Sequence, residues 1–291
     1  MKQIVTTTCV FPPQYPSEVV LDRLAAIGYT ALDMGLDYCV GKGRLLDGDD
    51  WRDRVIALRQ KADTMGVTYT HSHAPGNAGN RSEAQMRAFE AAALLGARYI
   101  VVHPIHEING QIITDDAEFI RINREATLPL LPIAEKLGLT ILSENILWGS
   151  SIQPRNIVDL VKAVDSPCFG WCFDTGHANC YGITPSVLRE LDVVPLSLHI
   201  QDTHGPGSGD EHLLPGDGSI DWKEFLHILH DIGYKGELVL EAHHQSYDAP
   251  DEEKDKILSE LLSRAEKMLA YMDFLSSERE FMPWNTKGYV Y

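Results

Sequence analysis

Four residues that could bind a metal close four short apolar runs. Glu144 ends LTILSE, Asp174 ends FGWCFD, His199 ends PLSLH and Glu241 ends ELVLE. Each run then breaks into a polar or glycine-containing loop. Three carboxylates and one imidazole are a donor set suited to a divalent cation. The four stand far apart in the chain, so they can share one ion only if the fold gathers their strand ends at one point. A parallel barrel does this, because the C-terminal ends of its strands open onto a common face.

The rest of the chain has the pattern such a barrel needs. Apolar runs and longer amphipathic segments alternate at roughly 25 to 45 residues, the mark of repeated βα units. Strands are predicted over Ile4–Thr8, Tyr29–Met34, Val67–His73, Arg98–His103, Leu139–Glu144, Phe169–Asp174, Pro195–His199 and Glu237–Glu241. Helices are predicted over Ser17–Ile27, Asp50–Met65, Ser82–Leu95, Asp115–Leu137, Pro154–Val164, Pro185–Leu191, Asp221–Ile232 and Glu252–Phe274. Gly28, Gly66, Gly96, Gly138 and Gly233 supply helix stops, and Pro129 and Pro132 predict a kink or break in the fourth helix. The eight pairs imply an α/β fold, a single-domain (β/α)8 TIM barrel over residues 1–275. A doubly wound sheet binding a dinucleotide would want an early GxGxxG turn, which the sequence lacks. The tail, 276–291, carries Phe281, Trp284, Tyr289 and Tyr291. It is expected to pack on the barrel or on a neighbouring subunit of a homo-oligomer.

Composition narrows the partners. No apolar run in the 291 residues approaches the roughly 20 needed to cross a bilayer. The start, MKQIVTTTCV, is too short and polar for a secretion signal. The expectation is a complete cytoplasmic protein with no membrane partner. Five cysteines without a CxxC pair are expected to be reduced thiols. A formal net charge of −17 repels polyphosphate backbones and disfavours nucleic acid.

Read in order, the strand ends give Asp33, His73 and His103 before the four residues above. One strand-end acid alone is usually a helix cap; potential ligands at seven of eight ends are a collective signal. Two loops add to it. DTGH places His177 three residues after Asp174, and HIQDTHGPGSGDEHLLPGDGSIDW brings Asp210 and His212 with glycines that let the loop fold back over the mouth. A flexible surface connection would explain GDGSIDW but leaves DEH without a purpose. His71 shares a strand face with His73 and is expected deeper in the barrel.

SEN, FDTGH, LHIQD, DEHLLPGDGSIDW and LEAH together resemble the xylose isomerase-like barrel superfamily. Within it they resemble the sugar or sugar-phosphate isomerase/epimerase branch that includes ketose 3-epimerases. The resemblance implies a Mn²⁺-type ion on Glu144, Asp174, His199 and Glu241; the donors alone leave Zn²⁺, Mg²⁺ and Co²⁺ open. It implies Lewis-acid stabilisation of an enediolate, with Glu144 and Glu241 removing and returning a proton beside a carbonyl. His177 would bind a substrate oxygen, and Asp33 would be a second polar contact. Thr203-His204-Gly205-Pro206 stands where the ketose epimerases carry an arginine, so the substrate need not be a free ketohexose. A sugar phosphate would want basic groups, and Arg81 and Arg155 lie near the mouth loops by sequence.

The same superfamily includes the endonuclease IV type of abasic-site DNA repair enzyme, which holds three zinc ions. Its ligand elements are matched by His73, His103, Glu144, Asp174, His177, His199, Asp210, His212 and Glu241, leaving room for a second or third ion. The acidic surface weighs against a DNA substrate. Dehydration of a polyol or keto sugar would begin with the same proton abstraction. A metal-free scaffold would be expected to have lost one of the four central donors, and none is lost.

Overall fold

A computed structural model describes residues 3–281. Its eight long-range strands are β1 (Ile4–Thr7), β2 (Ala31–Gly35), β3 (Thr68–Asn77), β4 (Tyr99–His103), β5 (Thr140–Glu144), β6 (Phe169–Asp174), β7 (Ser197–His199) and β8 (Leu238–Leu240). Each pairs in parallel with its neighbour in sequence, and β8 pairs with β1. Between β7 and β8 the ring closes through a parallel bridge at Ile200 and Leu240, with Ile200 N donating to Val239 O at 2.8 Å and Glu241 N to Ile200 O at 2.9 Å. The strands read as unbroken apolar runs because helices cover their outer face and the barrel interior buries the other. Every residue of β2 and β6 is buried.

The helices are α1 (Ser17–Ile27), α2 (Trp51–Thr64), α3 (Glu83–Leu95), α4 (Asp116–Thr127), α5 (Leu131–Leu137), α6 (Pro154–Val164), α7 (Thr175–Asn179), α8 (Trp222–Asp231), α9 (His244–Asp248) and α10 (Asp251–Phe281). The predicted break in the fourth helix is the 3₁₀ turn Leu128–Leu130, with Pro129 inside it and Pro132 opening α5. β3 runs on to Asn77 rather than stopping at His73, and Pro185–Glu190 is a 3₁₀ turn rather than an α-helix. A small hairpin, Glu107–Ile108 with Gln111–Ile112, and the short helices α7 and α9 were not foreshadowed by periodicity. α10 continues to Phe281, past the expected stop at Phe274. Trp284, Tyr289 and Tyr291, the rest of the expected aromatic tail, lie outside the described residues. Among those residues, no helix is long and apolar enough to cross a membrane.

The main core lies between sheet and helices and contains Trp51, Phe89, Trp171 and Phe225. Two small clusters stand apart from it: Val5, Ala31 and Val239, and Val101, Leu142 and Cys172. Ala31, Val101, Leu142, Cys172 and Val239 each precede a strand-end acid or histidine by two residues. Strand alternation therefore puts them on the same face as Asp33, His103, Glu144, Asp174 and Glu241. They form an apolar floor beneath those side chains.

Candidate metal centre

On this floor Glu144, Asp174, His199 and Glu241 are all buried, and one donor atom from each lies within 4.8 Å of the others. Nδ1 of His199 is 3.0 Å from Oε1 of Glu144 and 3.2 Å from Oε2 of Glu241. Neither oxygen of Glu144 has a hydrogen-bond partner, nor does Nδ1 of His199. Close approach without hydrogen-bond alignment is how ligands stand around a cation, and buried polar atoms are otherwise rarely left unpartnered. The residues therefore fit a divalent metal ion.

Electrostatics points the same way. Burial works against the charged forms of Glu144 and Glu241. The charge and close approach of His199, joined by His103 and His177 at Glu144 and by His212 at Glu241, together outweigh it and hold both carboxyls below the usual carboxylate range. Burial likewise opposes charge on His199, yet Cys172, Glu144 and Glu241 raise its imidazole well above the ordinary value. Positive charge is thus drawn to the space between the two glutamates. Burial pushes Asp174 up to about 7, with the charge of His177 opposing.

Supporting groups fix these side chains. Asn145 accepts from Asp174 N at 2.9 Å and donates to Asp174 O at 3.0 Å, which locks β5 to β6 at the donors. Oδ1 of Asp174 caps α7 by accepting from His177 N at 2.6 Å. Nε2 of Gln201 lies 3.3 Å from Asp174 Oδ1 and 3.2 Å from Asp210 Oδ1, tying the strand-six acid to the following loop. Sequence reasoning passed over Asn145 and Gln201, although each stands beside or two residues beyond a named donor, in SEN and HIQD.

Three further triads of potential ligands are present: His73, His103 and Glu144; His177, Asp210 and His212; and His212, His243 and His244, the last two of which sequence reasoning did not single out. In the second triad, His177 Nδ1 meets Asn145 O at 2.9 Å and His212 Nδ1 meets Glu241 O at 2.8 Å. A carbonyl only accepts, so both Nδ1 atoms carry hydrogen, and each Nε2 is left either to hold a second proton, which the neighbouring carboxylates favour against burial by raising both imidazoles above the ordinary value, or to offer its lone pair to a cation. Those Nε2 atoms lie 3.4 and 3.0 Å from Oδ1 of Asp210. Three electron-rich atoms facing one another require a proton or a cation among them, and imidazoles anchored by the other nitrogen are typical metal ligands. His212 takes φ 43°, a left-handed conformation that a non-glycine residue adopts at a cost.

Asp202 fastens the loop carrying Asp210 and His212. Its buried carboxylate accepts from Thr203 N and Ile220 N through Oδ1, and from Gly216 N and Trp222 Nε1 through Oδ2, at 2.8–3.2 Å. The glycine-rich segment is therefore a seated cover and not a loose connection.

Asp33 is buried with both oxygens unpartnered. Burial pushes it up to about 7, against the charge of His199. His71 is fully interior, against Thr70 and Tyr99, as alternation with His73 requires. Both basic candidates have partners within the protein. Arg81 donates to Ala78 O, Asn80 O and Ala126 O, and Arg155 faces Glu190 at 3.9 Å.

The fold and the ring of strand-end donors define a class. The chain belongs to the xylose isomerase-like TIM barrel family, whose model matches residues 21–265. Inosose isomerase from Bacillus licheniformis is 27% identical over 165 residues, 54% of this chain and 58% of that one. D-psicose 3-epimerase from Enterocloster bolteae is 23% identical over 241 residues, 76% of this chain and 75% of that one. Three of the relatives are spanned over only 54%, 58% and 58% of their own length, so the chain matches little more than half of them. The solved structure of IolI protein with a bound zinc atom has a TM-score of 0.72 at 19% identity, covering 90% of this chain and 97% of that one. That likeness shows the fold alone.

Proposed function

We propose that the chain is a metal-dependent sugar or sugar-phosphate isomerase or epimerase in which Glu144 and Glu241 move a proton beside a carbonyl. The observation that carries this reading is the convergence of four donor atoms, with Glu144 and His199 lacking hydrogen-bond partners there. Glu144, Asp174, His199 and Glu241 would hold one divalent ion, with Mn²⁺ and Zn²⁺ best suited to the donors. Bound there, such an ion supplies Lewis acidity that stabilises the negative charge formed on a carbonyl oxygen. Glu144 and Glu241 approach His199 Nδ1 from separate strands. A carbon held between them can lose a proton to one carboxylate and regain one from the other, as epimerisation requires. His177, anchored on Asn145 O, would present its ring to a substrate oxygen, and the unpartnered Asp33 would accept from a substrate hydroxyl. The relatives named inosose isomerase and D-psicose 3-epimerase support a polyol-derived small molecule as substrate.

The test is incubation with ketoses, inososes and their phosphates in D₂O, with each candidate ion supplied. Deuterium entering at a single carbon is the expected result; no uptake from any member with any ion removes the reading. A dehydratase would show uptake together with loss of water.

The triads of His73, His103 and Glu144 and of His177, Asp210 and His212 favour a second reading, in which the chain holds up to three ions as endonuclease IV-like phosphodiesterases do. Metal analysis separates the two: one ion per chain supports the isomerase site alone, three support the larger centre. Cleavage of abasic duplex DNA would then decide the substrate, and the net charge of −17 weighs against it.

A further inference from the structure

We propose that His106, Trp148 and Tyr181 form an aromatic wall on the rim of the barrel that packs against the C–H face of a ring in the substrate, a pyranose or a cyclitol. The inference rests on the function proposed above and names the kind of substrate that site takes.

The register of the three rings is the first ground. His106 follows His103 by three residues, Trp148 follows Glu144 by four and Tyr181 follows His177 by four. Their parent strands, β4, β5 and β6, are consecutive neighbours in the sheet. Each ring therefore hangs from a loop just beyond a residue of the donor cluster, all on one sector of the mouth.

Contacts and exposure are the second. The His106 and Trp148 rings are stacked, with centroids 4.8 Å apart and planes at 26°. Tyr181 Oη donates to Leu147 O at 2.6 Å and holds the Trp148 loop from the other side. Trp148 is nevertheless 46% exposed and Tyr181 51%; among the described residues the other exposed Phe, Tyr or Trp side chain is Phe274, at 52% on the outer helix α10. A stacked, exposed tryptophan beside a polar site is a surface prepared for a flat apolar partner.

The loop is also rigidly built, so exposure does not come from slackness. Ile113 N donates to His106 O and Ser150 N to Ile113 O, both at 2.8 Å, forming a backbone seam from the His106 loop to the Trp148 loop. Gly149 has φ 57°, and a Cβ there would come within 2.1 Å of Ile113 O, so only glycine lets the loop lie this close. Sugar rings and cyclitols present a C–H face to such a wall and leave their hydroxyls for the carboxylates of the mouth. An open-chain sugar has no such face.

The experiment is a titration of the metal-loaded full chain with methyl pyranosides, inositols and open-chain polyols, followed by tryptophan fluorescence and calorimetry. Binding of the cyclic compounds is expected to change the Trp148 signal, to weaken by about tenfold or more in Trp148→Ala and to be largely kept in Trp148→Phe. Tm and metal content of both variants should match the parent. With a ring-bearing substrate, Trp148→Ala should raise KM and spare kcat. Equal binding of cyclic and open-chain compounds, unchanged affinity in Trp148→Ala, or an altered oligomeric state as its sole effect would each overturn the proposal. If deuterium exchange is seen and Trp148 proves irrelevant, the proposed function stands without the wall; if cyclic compounds bind through Trp148 and no exchange occurs with any sugar, the function fails instead.

Discussion

His199 Nδ1 and Glu144 Oε1 lie 3.0 Å apart, and neither atom makes a hydrogen bond. A buried carboxylate and imidazole this close ordinarily share a proton along the line between them. Here they face a common point together with Glu241 and Asp174, which is the arrangement of donors around a cation.

Glu144→Gln and Glu241→Gln each keep the size of the side chain but remove its basicity. Each is expected to lower turnover by about 10²- to 10⁴-fold, the usual contribution of a positioned acid or base. Circular dichroism should remain that of the parent. Deuterium exchange into the substrate is the direct readout, and near-normal exchange in both variants would rule out their assigned roles.

Removing the metal should destabilise as well as inactivate, since the donors then face one another's charge. An ion present at 100 times its Kd adds about 2.7 kcal/mol to folding stability. For a chain of this size that is a fall in Tm of about 4–5 °C on chelation. Adding back a divalent ion should restore both properties. Asp174→Asn should show a smaller chelator shift than the parent; an equal shift in the variant would place the ion elsewhere.

Asp202→Asn tests the fastening of the cover loop. The carboxylate oxygens accept four N–H groups, and an amide must turn its NH₂ toward two of them. Leaving buried donors unsatisfied costs about 1–3 kcal/mol each, so a loss of about 2–4 kcal/mol is expected in urea denaturation. Proteolytic nicking near Gly205–Gly209 should appear before global unfolding. A variant as stable and as resistant as the parent would mean that the loop is held by other contacts.

Much of this was legible in the sequence because a parallel barrel couples chain order to space. Eight apolar runs, seven of them closed by donors, sufficed to anticipate the ring, and period-two alternation put Glu144, Asp174, His199 and Glu241 on its inner face. What escaped was set by tertiary contacts. The helix α7 exists because Asp174 caps it at His177, the hairpin before α4 leans on the Trp148 loop, and β3 continues through Pro75 by pairing Asn77 with His103. Gln201 and Asn145 carried no signal of their own, since a single buried amide has no period. Arg81 and Arg155 were legible as basic residues, but their partners, the carbonyls of Ala78, Asn80 and Ala126 and the carboxylate of Glu190, were not.

Asp37 offers a test by pH. Burial pushes its carboxyl up to about 6, with the charge of Glu241 acting the same way and the Tyr38 N–H and His103 acting the other. Unfolded, it would titrate near the ordinary value of 3.8. Between those two values the folded chain keeps a proton that the unfolded chain releases, so stability falls as pH rises through the window and the loss is complete above it. Asp37→Asn removes this slope. Denaturation at pH 4, 5.5 and 7 should find the variant close to the parent at pH 4 and increasingly more stable than it toward pH 7. A difference that stayed constant across the three pH values would show that Asp37 ionises as freely in the fold as outside it.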